Sequence, residues 1–197
     1  LKEKFIHEPT YKQSLALENL ASFVLSKEKE RIFLLKGFAG TGKTTIIGTI
    51  VSNLWKTSMK TVLMAPTGRA AKVMSNYSNT QAFTIHRKIY FPKKQSGGGL
   101  QFILAPNKHR NTIFIVDEAS MIPDTPADSK LFENGSLLDD LIQFVYSGHG
   151  CKLILIGDTA QLPPVKLDLS PALDADKLAL NYNKEVTTLE LNEVVRQ

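Results

Sequence analysis

At 197 residues the chain is long enough to bury one sizeable core and too short for two independent domains. Its 43% hydrophobic and 22% charged residues are the balance of an ordinary globular protein, and no apolar run approaches bilayer-spanning length, which excludes a membrane protein. A net charge of +5 fits a polyanionic partner such as nucleic acid without specifying one.

The chain begins Leu-Lys-Glu-Lys, with neither a start methionine nor a signal peptide, so it reads as a piece of a longer sequence. Gln13 to Leu25 carry Leu17, Leu20, Ala21 and Val24 at helical spacing, and "RIFLLKG" follows as a buried strand ending in glycine. After a glycine-rich loop, Ile46, Ile47, Ile50, Val51 and Leu54 mark one face of a helix, and "KTVLMAP" is a second strand, broken by Pro66. Tyr90 to Asn107, with its Pro-Lys-Lys start and three glycines, reads as a protruding hairpin with a flexible tip. "NTIFIVDEAS" and "CKLILIGD" are apolar runs that end in acids. Between them lie an acidic, proline-containing surface loop, Pro123 to Gly135, and a helix whose Leu138, Leu141, Ile142 and Val145 share a face. "EVTTLEL" is a fifth strand.

The single cysteine, Cys151, can form no internal disulfide, which fits a reducing cytoplasm, and its place at the start of an apolar run predicts a buried, inert thiol. His7, His86, His109 and His149 lack zinc-like spacing, so no metal site made of protein ligands alone is expected. Strands that are apolar throughout are covered on both faces. The pattern therefore predicts a three-layer α/β/α domain over 1–197 with a mostly parallel sheet and a small β-hairpin insertion at 90–107. Ligands of such sheets sit at the strands' carboxyl ends, here Gly37, Pro66-Thr67, Asp117-Glu118 and Gly157-Asp158.

"GFAGTGKT", Gly37 to Thr44, has the spacing of a phosphate-binding loop, between a strand and a helix as that motif requires. Gly37, Gly40 and Gly42 let the backbone curl, so that the amides of Ala39 to Thr45 turn toward phosphate oxygens at the positive end of a helix. Lys43 is expected to reach the β and γ phosphates, and the Thr44 hydroxyl to hold Mg²⁺. Asp117 and Glu118 divide two tasks at the end of their strand: Asp117 holds Mg²⁺ through water, and Glu118 takes the proton from the attacking water. Together the motifs state a reaction, hydrolysis of a nucleoside triphosphate.

"APTGRAAKVM", "TIHRKIY", "VDEASMI" and "GDTAQLPPV" follow the phosphate loop in an order that resembles superfamily 1 DNA helicases, closest to the RecD-like and Dda-type branch. The resemblance covers Gln13 to Gln197. It implies a RecA-like P-loop NTPase fold, ATP as nucleotide, and single-stranded DNA or a duplex junction as partner. In that light Gln13 is similar to the glutamine that reads adenine, although a polar helix-start role is also open to it. Thr67, Thr84 and His86 resemble strand-contacting residues, with hydroxyl and imidazole groups suited to phosphate and sugar; His86 is also open to a core role. Arg69 and Lys72 share a face that is either basic and functional or simply solvated. Gln161 resembles the glutamine that couples γ-phosphate to DNA, and "QLPPV" is similar to motors that move 5′ to 3′. The hairpin falls where RecD-like proteins carry a duplex-splitting pin, and Tyr90, Phe91 and Phe102 either stack on bases or pack its foot. "LNEVVRQ" resembles the end of a first motor domain, with Arg196 contacting the γ-phosphate. The resemblance thus implies a second, C-terminal RecA-like domain missing from this chain, and a monomer. A P-loop kinase or AAA-type ATPase, a Pif-type helicase domain, and a nucleotide-switched DNA-binding module without turnover are the competing readings.

Overall fold

The computed structural model describes residues 5, 8–28, 31–94, 99–125, 131–132, 136–161 and 170–194. Strands β1 (Arg31–Gly37), β2 (Lys60–Ala65), β3 (Ala82–Thr84), β6 (Thr112–Val116), β7 (Lys152–Gly157) and β8 (Glu185–Leu191) form one sheet in the order β3-β2-β6-β7-β1-β8. Every pairing in it is parallel. All five residues of β6 and all six of β7 are buried, as strands covered on both faces must be.

Strand residues alternate between two cores. Ile32, Leu34, Val62, Met64, Phe114, Val116, Leu153 and Leu155 face one layer of helices, α4 (Ile85–Ile89), α5 (Leu137–Ser147) and α6 (Ala175–Tyr182). Phe33, Leu35, Leu63, Ile113, Ile115, Ile154 and Ile156 face the other, made of α1 (Tyr11–Leu25), α2 (Lys43–Leu54) and α3 (Gly68–Ser78). The register sets Lys36 beside Gly157, Gly37 beside Leu191 and Val116 beside Leu155, so the loops after β1, β6 and β7 emerge side by side.

Helix ends are specified locally and, in one case, at long range. Thr10 and Gln13 form a capping box at the start of α1. At its other end no basic residue of the helix serves the last carbonyls; Lys152 of β7 does instead, donating to Phe23 O (2.5 Å), Val24 O (3.2 Å) and Ser26 O (2.6 Å). Ser136 caps α5, and Asp139 and Asp140 in its first turn complement the helix dipole.

The expected five strands and their helices are present, and three short elements join them: β3, α4 and α6. An edge strand of three residues and a helix of one turn are too short to leave a periodic signature. Strands β4 (Tyr90–Lys94) and β5 (Leu100–Leu104) pair antiparallel from Tyr90 with Leu104 to Lys94 with Leu100. The proline-containing loop is more than surface where it is described, because Leu131 O accepts from Phe102 N–H at 2.6 Å and Phe132 bridges Phe102. Cys151 is buried just before β7, and burial pushes its thiol pKa up. Among the described residues no helix is long and apolar enough to cross a membrane.

Candidate nucleotide site and adjoining groove

Strand β1 delivers the chain at Gly37, where a Cβ would stand 2.8 Å from Thr41 Oγ1 and 3.0 Å from Leu191, so a side chain here would push the turn apart. Thr41 closes that turn by donating its hydroxyl to Phe38 O (2.8 Å), and Gly40 and Gly42 take left-handed backbones, φ +78° and +87°. Ala39 and Gly40 are exposed at the tip. Helix α2 then starts at Lys43 with Gly42 as its cap and, among the described residues, no side chain capping its first amides. Lys43 Nζ donates to Gly37 O (2.6 Å) and Phe38 O (2.9 Å) and lies 3.9 Å from the Asp158 carboxylate. Thr44 is exposed and Thr45 half-buried on the following turn.

Gln13 fills the helix-start role and also braces the loop. Its Oε1 accepts from Thr10 N–H (3.0 Å) in the capping box, and its Nε2 donates to Thr41 O (3.0 Å) in the loop. It is 3% exposed and lines the cleft that the loop borders. Helix start and nucleotide cleft coincide at this residue.

Asp117 leaves β6 with both carboxylate oxygens held. Oδ1 accepts from Glu118 N–H (2.9 Å) and Oδ2 from the Tyr77 hydroxyl (2.7 Å). Burial first, then the neighbouring Asp117 charge, raises the Tyr77 pKa, so the phenol stays a proton donor. Glu118 sits at φ +55°, ψ 35°, a left-handed conformation unusual for a residue with a side chain. Asp158, after β7, accepts from Ala160 N–H (2.8 Å) and is buried. Gln161 is exposed, and its Oε1 accepts from the Ser120 hydroxyl (2.7 Å).

The loop, Gln13, Asp117, Glu118, Asp158 and Gln161 border one cleft of about 690 Å³. A second groove of about 600 Å³ shares Asp117, Glu118 and Gln161 with it and runs along Thr67, Arg69, Ala70, Val73 and Met121. Among the described residues no three His, Cys, Asp or Glu side chains are grouped to hold a metal. One hydroxyl and one carboxylate, Thr44 and Asp117, on the border of that cleft suit a hard cation that keeps its waters and binds through phosphate oxygens, as Mg²⁺ does.

The strand-contact candidates divide. Thr67 and Thr84 cap α3 and α4, accepting from Ala70 N–H and Arg87 N–H at 3.2 Å each. Arg69 and Lys72 are exposed, and Arg69 borders the second groove. His86 is exposed rather than a core residue, and its ring meets Tyr90 (5.8 Å) and Phe132 (5.6 Å); partial burial lowers its pKa. Tyr90 donates its hydroxyl to Asp140 and packs on Phe132, and Phe102 stacks on Phe132 at 5.6 Å and 25°. These two aromatics form the hairpin's foot, whereas Phe91 is 39% exposed. Arg196 lies outside the described residues. Val194, two positions before it, comes within 3.4 Å of where a Gly40 Cβ would be. Tyr77, Ser120 and Phe132 escape a reading of the sequence, since each acts on a residue that only the fold brings near.

A parallel sheet with this loop after its first strand and an acid pair after β6, one strand removed from it across β7, defines a P-loop nucleotide-binding domain of the RecA-like kind. A family model described as AAA domain matches residues 21–167, and the chain belongs to that family, on the RecD- and Dda-like branch of superfamily 1 helicase domains. It is 30% identical over 181 residues to the ATP-dependent RecD2 DNA helicase of Deinococcus radiodurans, covering 91% of this chain and 22% of that protein. It is 32% identical over 152 residues to the ATP-dependent DNA helicase dda of Enterobacteria phage T4, covering 71% of this chain and 30% of the relative. In fold it is similar to Pif1 helicase from Candida albicans, with TM-score 0.58, 22% identity and coverage of 95% and 40% of the two chains. It is also similar to Pif1 helicase from Bacteroides, solved with ADP-AlF3 and ssDNA, with TM-score 0.54, 21% identity and coverage of 92% and 42%. The chain thus spans 22% and 30% of the length of these two sequence relatives.

Proposed function

We propose that this chain is the first ATPase domain of a RecD-like DNA helicase motor, in which hydrolysis of Mg-ATP drives movement along single-stranded DNA, 5′ to 3′. The observation that carries the reading is that Asp117, Glu118 and Gln161 border both the loop cleft and the adjoining groove. Residues that answer to nucleotide therefore also face the second binding space.

In this reading the amides of Ala39 to Thr45 and the Lys43 ammonium take the phosphates, with Lys43 exchanging its two loop carbonyls for phosphate oxygens. Gln13 retains one amide N–H and one lone pair, the pair that adenine's edge requires. Thr44 and Asp117 hold Mg²⁺, which neutralises phosphate charge when bound. Glu118 accepts the proton of the attacking water, and Gln161 reports the γ-phosphate to the groove. Arg196 stabilises the charge that develops on the transferred group.

Thr67, Arg69, Thr84 and His86 take the strand's phosphates and sugars, and Phe91, the exposed aromatic of the hairpin, stacks on a base at the junction. Tyr90 and Phe102 hold the hairpin in place. A second RecA-like domain beyond this chain closes on the nucleotide, and the motor acts as a monomer in the cytoplasm. Steady-state Mg-ATP hydrolysis, with and without a single-stranded oligonucleotide at low salt, tests the proposal, with Lys43→Ala as blank. DNA-stimulated turnover that vanishes in the blank supports a coupled motor domain. Nucleotide binding without turnover supports a switch module; loss of both removes the phosphate-loop assignment.

A further inference from the structure

Tyr77 is forty residues from Asp117 in sequence and in hydrogen-bond contact with it in the fold. Its place is specific. Ala70, Val73 and Tyr77 are spaced i, i+3, i+7 along α3, and the first two line the second groove. The Tyr77 carbonyl lies over α2, 3.6 Å from where a Cβ on Gly48 would sit. The residue therefore touches the helix that begins at Lys43-Thr44 with its backbone and Asp117 with its hydroxyl.

One hydrogen bond to a carboxylate resists rotation about its Cβ–Cγ bond only weakly; two, one at each oxygen, hold the plane of the group. Glu118 N–H secures Oδ1 and Tyr77 secures Oδ2, leaving the remaining lone pairs to the cleft that Asp117 borders. We propose that Tyr77 is a positioning residue for the cation site: its hydroxyl orients the Asp117 carboxylate toward a hydrated divalent cation and fixes it relative to Thr44. The inference rests on the nucleotide-site reading above. Outer partners that orient ligand carboxylates commonly change metal affinity by about 10–100-fold when removed.

The test is binding of a fluorescent methylanthraniloyl-ATP to the full chain, first in EDTA and then across a Mg²⁺ titration. Tyr77→Phe keeps the ring in its packing and removes only the hydroxyl. It should bind the nucleotide in EDTA as the unmodified chain does, while the Mg²⁺ concentration for half-maximal tightening rises about tenfold. Asp117→Asn should abolish the Mg²⁺ response, and adding Tyr77→Phe to it should change nothing further. A half-maximal Mg²⁺ concentration within about twofold of the unmodified chain overturns the inference. So does loss of binding in EDTA by Tyr77→Phe, which would make the residue a part of the fold rather than of the cation site. Failure of the unmodified chain to bind nucleotide, or to respond to Mg²⁺, would instead remove the nucleotide-site reading and this inference with it.

Discussion

Replacing Gly42 by alanine tests how the phosphate loop is held. At φ +87° a side chain costs about 1–2 kcal/mol of backbone strain. The new Cβ would also stand 2.4 Å from Gln13 Nε2, closer than any contact can be. Gln13 must then withdraw from Thr41 O, at the cost of a hydrogen bond worth about 0.5–1.5 kcal/mol. The sum is roughly 1.5–3.5 kcal/mol, which lowers Tm by about 3–14 °C in a chain of this size. Circular dichroism on heating and urea titration read the loss. The reasoning is exposed by a double-mutant cycle. In a Gln13→Ala background the clash has no partner, so Gly42→Ala should cost only its backbone share, and the two changes should be coupled by about 1 kcal/mol. Additivity to within about 0.5 kcal/mol would refute the picture of a loop braced by Gln13. Gly68→Ala, at the open first position of α3 with nothing within 4 Å, should be neutral or slightly stabilising and serves as the control.

Lys152→Met should destabilise by about 3 kcal/mol in urea, since it strips the buried donor from three carbonyls at the end of α1 and leaves them unpaired. A change under about 1 kcal/mol would show that water replaces the ammonium there. Glu118→Gln should slow Mg-ATP hydrolysis by at least about 100-fold with nucleotide affinity retained, which a single-turnover assay beside a binding titration separates. For His86, partial burial of an otherwise exposed ring holds the folded pKa below 6.5, so on acidification the unfolded chain takes up the proton first. Stability should therefore fall as pH drops below that value and level off below the folded pKa. His86→Gln should remove this share of the loss, seen as a smaller difference in urea midpoint between about pH 7.5 and pH 5.5.

What the sequence makes legible here is whatever depends on neighbours in the chain. Apolar runs such as "RIFLLKG" and "CKLILIGD" announce strands covered on both sides, and the glycine spacing of Gly37 to Gly42 requires a curled loop wherever it occurs. Partners that arrive from a distance leave no such trace. Lys152 reads as the polar start of a strand, yet it is buried and ends a helix 126 to 129 residues earlier. Phe132 lies in a loop whose acids and prolines suggest only surface, and it is the platform on which Tyr90 and Phe102 meet. That contact, rather than aromatic character, decides which of Tyr90, Phe91 and Phe102 is free to touch a partner.

The same distinction explains why the acid pair alone says less than its surroundings. Glu118 holds a left-handed backbone that costs a residue of its kind about 1–3 kcal/mol, so something must maintain it. Its N–H is fixed on Asp117 Oδ1, and its carbonyl accepts from Met121 N–H at 3.1 Å as the next turn closes. That turn buries Ala119 and Ser120, and Ser120 in turn holds Gln161. Asp117, Glu118 and Gln161 are therefore one hydrogen-bonded unit, anchored from α3 by Tyr77 and bordering two binding spaces at once. Because these bonds run through one turn, loss of the Ser120 hydroxyl in Ser120→Ala is expected to loosen groups that face both spaces.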